Sequence, residues 1–257
     1  MPASDLTLLI ETALQAGELA RGFVGGALDV QDKPDGAGPV TAADLAVNDM
    51  FEDVLRTARP DYGWLSEEST DSADRLTAKR VFVIDPIDGT RSFIEGGKTW
   101  SHSMAVVEDG IPVAAVVYLP MLNKVYSASL GNGARINSSP MSVGHQQSPD
   151  NANVLATKPS VDPRFWPRGV PGMTRYHRPS LAYRLSLVAE GRFDAMFTFR
   201  PSWEWDIAAG ALILSEAGAR VTDRRGAALK FNNKIPQTDG VLGANPVLHA
   251  AFLDKLG

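Results

Sequence analysis

Apolar residues recur at helical spacing in the first quarter of the chain. Behind Ser4, a good N-cap residue, the repeat comprises Leu6, Leu9, Ile10, Ala13 and Leu14. This pattern predicts an amphipathic opening helix. Gly17 lies on the same face, where it either ends the helix or lets another element approach closely. Residues 30–40 are rich in Asp, Pro and Gly and predict a mobile loop, and helical periodicity resumes over 42–58.

The middle of the chain has the composition of antiparallel sheet. Residues 104–107 and 113–119 are rich in β-branched residues, and the Glu108-Asp109-Gly110 segment between them is typical of a hairpin. Residues 124–130 predict a further strand. The Gly131-Asn132-Gly133 segment that follows lacks the third glycine and the opening helix of a dinucleotide fingerprint, so we interpret it as a hairpin turn.

The last third alternates between helical and strand patterns. Helices are predicted over 183–189 and 206–217, and strands over 195–199 and 220–222. Gly218 is well placed to end the second helix. The polar stretch 144–153 predicts a connection between two lobes. We therefore expect an α+β lobe over residues 1–148 and an α/β lobe over 149–257, with one cleft shared by both.

The run Val81-Phe82-Val83-Ile84-Asp85-Pro86-Ile87-Asp88-Gly89-Thr90 places two carboxylates three residues apart where an apolar strand ends. Pro86 cannot donate to a strand ladder, so the strand must stop or kink there. Two close carboxylates repel unless a cation or a proton lies between them, and their oxygens are ligands that Mg²⁺ prefers. The backbone N–H groups of the following turn can hold a phosphate.

Asp-Pro and Asp-Gly pairs are common turn formers, so this run alone proves little. Further acids lie near element boundaries, at Glu67-Glu68 upstream and at Glu204 and Asp206 downstream. By itself, Asp206 is typical of a helix cap. Asp44, in the first turn of a predicted helix, is equally well explained as a helix-start residue that interacts with the dipole.

Four motifs together resemble the inositol monophosphatase superfamily of Mg²⁺-dependent, lithium-sensitive phosphomonoesterases, over nearly the whole chain. They are Val40 to Asp44, the Glu67-Glu68 pair, Asp85 to Thr90, and Trp205 to Gly210. Four motifs in the right order are a far stronger signal than one. The resemblance implies an α/β (α+β) fold, a layered αβαβα sandwich of the inositol monophosphatase and fructose-1,6-bisphosphatase type.

The same resemblance implies a metal site that holds two or three Mg²⁺ ions. Asp85 would bridge two metals, Glu67 would complete the first site, and Asp88 with Asp206 would complete the second. Ile87 would contribute its backbone carbonyl. Two close metals suit phosphoester hydrolysis, because one activates the attacking water and another stabilises the leaving oxygen.

The resemblance also assigns the proton chemistry. Thr90, hydrogen-bonded toward Asp44, would position or deprotonate the water, and Glu67 would assist. The backbone N–H groups of Gly89 and Thr90 would hold phosphate oxygens. We interpret Glu68 as the weaker candidate, because the second of two glutamates on a loop is most often solvated. A noncatalytic protein that uses these acids as a structural cation site is the competing hypothesis.

The substrate is less clearly indicated. Inositol-specific members of the superfamily carry a Glu seven residues before the aspartate of the Trp-Asp motif, where this chain has Phe199. The stretches around Glu190 and Arg200 look more like the branch that removes the 3′-phosphate from 3′-phosphoadenosine 5′-phosphate. We therefore favour a 3′(2′),5′-bisphosphate nucleotidase, with an inositol-1-monophosphatase or a histidinol-phosphatase as alternatives.

A basic cluster points the same way. It comprises Lys158, Arg164, Arg168, Arg175, Arg178 and Arg184. A second phosphate needs a cation beyond the metals, and Arg offers bidentate geometry. We expect Arg184 to contact that phosphate, although pairing with Glu190 is an alternative. The residues predicted to contact the substrate are Asp88, Gly89, Thr90, Arg184 and Asp206.

Composition excludes several other classes. The chain has 257 residues, 44% hydrophobic, with 25 basic and 30 acidic side chains, which argues against binding to a nucleic-acid polymer. It has no cysteine, and its four histidines lack ligand spacing, so neither a cysteine phosphatase nor a zinc hydrolase is expected. Without an evident signal peptide or membrane span, we expect a cytoplasmic protein, able to form a homodimer, that acts on a small phosphomonoester.

Overall fold

The computed structural model describes residues 4–26, 28–33 and 38–257. Within them the helices are α1 (Asp5–Arg21), α2 (Ala42–Ala58), α3 (Thr90–Ile94), α4 (Leu181–Ala189), α5 (Glu204–Glu216) and α6 (Pro246–Leu256). The strands up to the middle of the chain are β1 (Gln31–Asp32), β2 (Pro39–Val40), β3 (Gly63–Ser66), β4 (Arg80–Asp88), β5 (Ser101–Glu108), β6 (Ile111–Leu119), β7 (Lys124–Ser129), β8 (Ala134–Ile136) and β9 (Ser139–Met141). The later strands are β10 (Asn153–Ala156), β11 (Thr174–Tyr176), β12 (Ala195–Thr198), β13 (Ser202–Trp203), β14 (Arg220–Thr222), β15 (Gln237–Thr238) and β16 (Val241–Ala244).

Two large sheets organise these elements. A seven-stranded sheet has the order β3-β4-β5-β6-β7-β8-β9, in which β3 and β4 are parallel and the other neighbours antiparallel. A five-stranded mixed sheet has the order β11-β10-β12-β16-β14. No helix in the described ranges combines the length and the apolar character that crossing a membrane requires.

Helices separate and cover the sheets, which gives the αβαβα sandwich predicted from the sequence. Helices α1 and α2 pack on one face of the large sheet, against Phe82 and Ile84 of β4. Val81 and Val83 point to the other face, as the period of a strand requires, and contact the layer formed by α4 and α5. That helical layer also covers the inner face of the five-stranded sheet, and α6 covers its outer face.

The predicted N-terminal helices are confirmed. Ser4 caps α1 by accepting a hydrogen bond from the backbone N–H of Thr7, at 3.2 Å. Gly17 does not end the helix, which continues to Arg21. It lets the large sheet approach, because a Cβ at this position would overlap Cε1 of the buried Tyr118 on β6. The hairpin turns predicted between β5 and β6 and between β7 and β8 are also confirmed.

The prediction for residues 30–40 is partly wrong. This segment contains the short antiparallel pair β1 and β2, in which Gln31 lies opposite Val40 and Asp32 opposite Pro39. Residues 34–37 of the predicted loop lie outside the described residues. This pairing holds Lys33, which immediately follows β1, beside the side chains of Glu67 and Glu68.

Strand β4 kinks rather than stops at Pro86. Its register with β5 shifts between Asp85 and Asp88, which is the irregularity of a β-bulge. Pro86 lies inside the bulge, and its carbonyl is hydrogen-bonded to the ring Nδ1 of the buried His102 on β5. The bulge thus carries the strand past proline and presents both aspartates at one edge of the sheet.

Candidate active site

The candidate site lies where β3 and β4 end side by side. Because the two strands are parallel, their carboxyl ends meet at the same edge of the sheet. Glu67 directly follows β3, and its backbone N–H donates to the Ile84 carbonyl of β4 at 3.1 Å. Asp85 and Asp88 lie on either side of the bulge at the carboxyl end of β4. Asp206 enters from the first turn of α5.

Three of these acids converge closely. Carboxylate oxygens of Glu67, Asp85 and Asp206 all lie within 4.8 Å of one another. Burial raises the pKa of Asp85 and of Asp206 well above the ordinary range, and the neighbouring carboxylates add to the rise. Oδ1 of Asp85 is buried, and no hydrogen-bond donor of the described residues reaches it. An all-oxygen, mutually repelling cluster with an unpartnered buried oxygen fits a hard divalent cation such as Mg²⁺.

Asp88 lies beside this cluster but outside the group of three. Its Oδ2 accepts hydrogen bonds from the Ser180 hydroxyl and the Ala182 backbone N–H, both at 2.7 Å. Ser180 is itself the N-cap of α4. Asp88 therefore ties the metal-facing end of β4 to the start of a helix in the second half of the chain. Burial raises its pKa to about 6.

The turn after Asp88 brings Thr90 next to Asp44, the two residues predicted to handle the proton of the attacking water. Gly89 has a φ of +98° and caps α3, so the turn needs a residue without a Cβ. The Thr90 hydroxyl lies 3.3 Å from Oδ1 of Asp44 and 3.1 Å from the Ile87 carbonyl. Burial raises the pKa of Asp44, whose Oδ2 completes a capping box with Thr41 at the start of α2. Asp44 is thus both a residue that caps the start of α2 and the hydrogen-bond partner of Thr90.

The interpretation of Glu68 as a solvated residue is wrong. Its side chain is only 5% exposed and accepts a hydrogen bond from Lys33 Nζ at 2.7 Å. The same ammonium lies 2.6 Å from Oε1 of Glu67. Burial raises the pKa of Glu68 to about 7. Lys33 was missed because nothing in the sequence around it indicates that the β1–β2 hairpin brings it to the paired glutamates.

Next to the acids, a cleft of about 950 Å³ runs between the two halves of the chain. Its inner end is lined by Glu67, Gly89 and Thr90, and its walls carry the aromatic rings of Phe165 and Phe199. The arginines among its described lining residues are Arg91, Arg164, Arg184 and Arg200. Most of the basic cluster predicted from the sequence lies elsewhere, and Arg168, for example, pairs with Asp254 of α6.

Arg184 is buried in the cleft wall, where backbone groups hold it. Its Nε donates to the Arg178 carbonyl at 2.5 Å, and Nη2 lies 2.8 Å from Nε2 of His177. Burial lowers its pKa to about 10, with Asp88 acting in the opposite sense and Arg200 adding to the decrease. The alternative pairing with Glu190 is wrong, because Glu190 accepts hydrogen bonds from Lys124 and Tyr126.

Phe199, the residue seven positions before Asp206, forms part of an aromatic cluster in the cleft wall. It is 3% exposed and stacks on Phe197 at a centroid distance of 5.1 Å and an interplanar angle of 7°. Phe165 lies 5.3 Å from it. The Arg164 guanidinium is 4.8 Å from the centroid of Phe165. This part of the cleft therefore presents aromatic rings and positive charge.

Comparisons with known proteins identify the family of the chain. The family model described as "Inositol monophosphatase family" matches residues 2–257. The chain is 34% identical to an inositol-1-monophosphatase of Rhizobium meliloti (strain 1021) over 233 residues, 86% of each chain. It is 33% identical to a histidinol-phosphatase of Mycobacterium tuberculosis, over 94% of this chain and 96% of the relative.

A third relative, the 3′(2′),5′-bisphosphate nucleotidase CysQ of Escherichia coli (strain K12), is 31% identical over 79% of this chain and 83% of its own length. Among solved structures, the extragenic suppressor protein suhB from Bartonella henselae superimposes with a TM-score of 0.85 at 26% identity. That match covers 99% of this chain and 98% of the other. Relatives with three different named substrates match at nearly equal identity.

Proposed function

Because the chain belongs to the inositol monophosphatase family, whose members are phosphoric monoester hydrolases, we propose that it is a Mg²⁺-dependent phosphatase acting on a small bisphosphorylated nucleotide. The observation that carries the metal dependence is the convergence of Glu67, Asp85 and Asp206, with the unpartnered Oδ1 of Asp85. Asp88 and the Ile87 carbonyl would complete the metal sites. Bound Mg²⁺ would supply an activated water and neutralise charge on the leaving oxygen.

The chain's own residues supply the remaining chemistry. The Thr90 hydroxyl can accept a proton from the attacking water while it passes its own proton to Oδ1 of Asp44. The buried setting that raises the pKa of Asp44 makes this carboxylate a better proton acceptor. The backbone N–H groups of Gly89 and Thr90, at the start of α3, would hold the phosphate oxygens.

The cleft walls support the choice of substrate. Arg184 and Arg200 are close enough for Arg200 to lower the pKa of Arg184, and both line the cleft beside the acids. An anionic group between two such cations would relieve their repulsion, which is the role expected of a second phosphate. The apolar surface of Phe165 and Phe199 suits a planar base better than a polyhydroxylated ring.

A substrate panel tests this choice. We expect kcat/KM for 3′-phosphoadenosine 5′-phosphate to exceed that for inositol 1-phosphate, histidinol phosphate and fructose 1,6-bisphosphate. A higher value for any of the other three would refute the nucleotide assignment and leave the phosphatase assignment intact. Two or three metals per chain, a homodimer, a cytoplasmic location and the lobe boundary at residues 148/149 remain predictions from the sequence.

The arginines can be tested one at a time. Arg200→Ala should raise KM for the bisphosphate about 10- to 150-fold, since a charge-assisted hydrogen bond contributes about 1.5–3 kcal/mol, and should barely change hydrolysis of a monophosphate. Arg184→Ala should show the same selectivity with an additional loss of stability, because its guanidinium also donates to the backbone carbonyls of Arg178 and Pro179. Arg225→Ala, which removes an exposed ion pair with Asp239, is the matched control and should change neither KM. Equal losses on both substrates would contradict the assignment.

A further inference from the structure

Glu204 is a fully buried charged residue that the proposed reaction does not use. It lies two residues before Asp206, at the first position of α5, and its exposed fraction is 0%. Its carboxylate accepts hydrogen bonds from the backbone N–H groups of Asn232 at 2.6 Å and Asn233 at 3.0 Å. It accepts a third from Nδ2 of Asn233 at 2.7 Å. The start of α5 is therefore fastened to the loop that precedes β15.

Arg75 fastens the same loop from the other side. Its side chain is 1% exposed, and its guanidinium donates to Oδ1 of Asn232 at 2.6 Å and to the carbonyl of Asn233 at 3.0 Å. Nδ2 of Asn232 returns a hydrogen bond to the Arg75 carbonyl at 3.1 Å. Asp71 supplies the counter-charge, with Arg75 Nε and Nη2 at 2.6 and 2.8 Å from its two oxygens.

Arg75 also packs on the strand that leads to Glu67. A Cβ built on Gly63, the first residue of β3, would lie 3.0 Å from both Cα and Cβ of Arg75, so the two backbones are in close contact. Strand β3 ends at Ser66, immediately before Glu67. A continuous series of contacts thus runs from the strand that carries Glu67, through Arg75 and the 232–233 loop, to the helix start that carries Asp206.

We infer that this network, Arg75 with Asn232, Asn233 and Glu204, is a positioning device that fixes the separation of the Glu67 and Asp206 carboxylates and thereby sets the affinity for Mg²⁺. The inference rests on the proposed function of those two acids as metal ligands. None of the four residues is among the described residues that line the cleft. A buried charged network is a costly way to stabilise a fold compared with apolar packing, and its directional bonds fix geometry in a way apolar contacts do not.

Glu204→Gln is the most direct test, because the amide keeps the shape but cannot accept all three N–H donors as a carboxylate does. Isothermal titration calorimetry with MgCl₂ as the ligand measures the effect without turnover. We expect Mg²⁺ affinity to fall about tenfold, the low end of what supporting residues around metal ligands contribute. Asn233→Ala removes the side-chain donor to Glu204 and to the Lys230 carbonyl but keeps the backbone contacts, and it should weaken affinity in the same direction by a smaller factor.

Glu190→Gln is the matched control. Glu190 is a half-buried acceptor of several hydrogen bonds, from Lys124 and Tyr126, but it lies at the far end of α4. It should lower the melting temperature without changing Mg²⁺ affinity at 25 °C. Wild-type Mg²⁺ affinity in both Glu204→Gln and Asn233→Ala, or an equal loss in Glu190→Gln, would overturn the positioning role. Loss of Mg²⁺ binding in Asp206→Asn would in that case still uphold the metal site. Absence of Mg²⁺ binding by the wild-type chain would overturn the proposed function and this inference together.

Discussion

Asp88→Asn should make the protein inactive and, without metal, more stable. Burial raises the pKa of Asp88 from 3.8 to about 6. An unfolded aspartate releases its proton near pH 3.8, so stability falls as the pH rises from 3.8 to 6, and the whole penalty is present above pH 6. At about 1.4 kcal/mol per pKa unit, the ionised carboxylate costs the metal-free fold about 3 kcal/mol.

Asparagine removes that penalty while keeping the local contacts. Its side-chain oxygen can accept the hydrogen bonds from Ser180 and Ala182 that Oδ2 of Asp88 accepts. Allowing for weaker hydrogen bonds to a neutral acceptor, we expect a net gain of about 1–2 kcal/mol in EDTA at pH 8. With Mg²⁺ the wild-type chain should gain stability and the variant much less. The variant's kcat should fall at least about a hundredfold.

Urea denaturation at pH 8, in EDTA and in excess Mg²⁺, measures both states. Asp5→Asn is the matched control, because Asp5 forms ion pairs with Arg59 and Arg80 outside the cleft. It should destabilise the protein equally in both conditions and leave kcat unchanged. The reasoning is refuted if Asp88→Asn destabilises the metal-free protein as Asp5→Asn does, or if it retains near-normal kcat.

Three further predictions concern the metal, the core and the pH. Calcium should inhibit phosphate release, since its longer bonds and looser geometry misplace the reacting groups that Mg²⁺ orients, and full activity with Ca²⁺ as the sole divalent cation would contradict the site. Gly17→Ala should lower the unfolding free energy by about 1–3 kcal/mol, because its Cβ meets the buried ring of Tyr118, and an unchanged urea midpoint would show that the helix can move away. Burial lowers the pKa of His102 from 6.5 to about 4, so the folded state resists protonation and stability is lost as the pH falls from 6.5 to 4, by up to about 3 kcal/mol. His102→Asn should flatten that part of the stability curve, and parallel curves for the two proteins would disprove the effect.

The layers of the fold could be predicted because local patterns carry them. Helical spacing after Ser4 predicted α1, and the β-branched runs around Glu108-Asp109-Gly110 predicted the β5–β6 hairpin. Pro86 showed where β4 had to be irregular, but not that the ring Nδ1 of His102 donates a hydrogen bond to the Pro86 carbonyl inside the bulge. That contact joins residues sixteen apart, and no local pattern encodes it.

The candidate site likewise contains residues that local motifs identify and residues that only long-range contacts bring there. The acids of the four motifs could be predicted from the family resemblance, and the structure brings Glu67, Asp85 and Asp206 together. Residues that act through long-range contacts were not identifiable. Lys33 lies in a segment predicted to be a loop, and nothing in the sequence singled out Arg75, whose guanidinium is buried against a loop more than 150 residues away in sequence.

Inorganic phosphate release from 3′-phosphoadenosine 5′-phosphate, measured against Mg²⁺ concentration, tests the central claim most directly. For the wild-type chain we predict activity that is absent in EDTA, rises with Mg²⁺ and saturates. Asp206→Asn, which removes one of the three converging carboxylates, should show at least about a hundredfold lower kcat at every Mg²⁺ concentration. Activity that persists in EDTA, or an Asp206→Asn variant with the Mg²⁺ dependence of the wild type, would contradict the account.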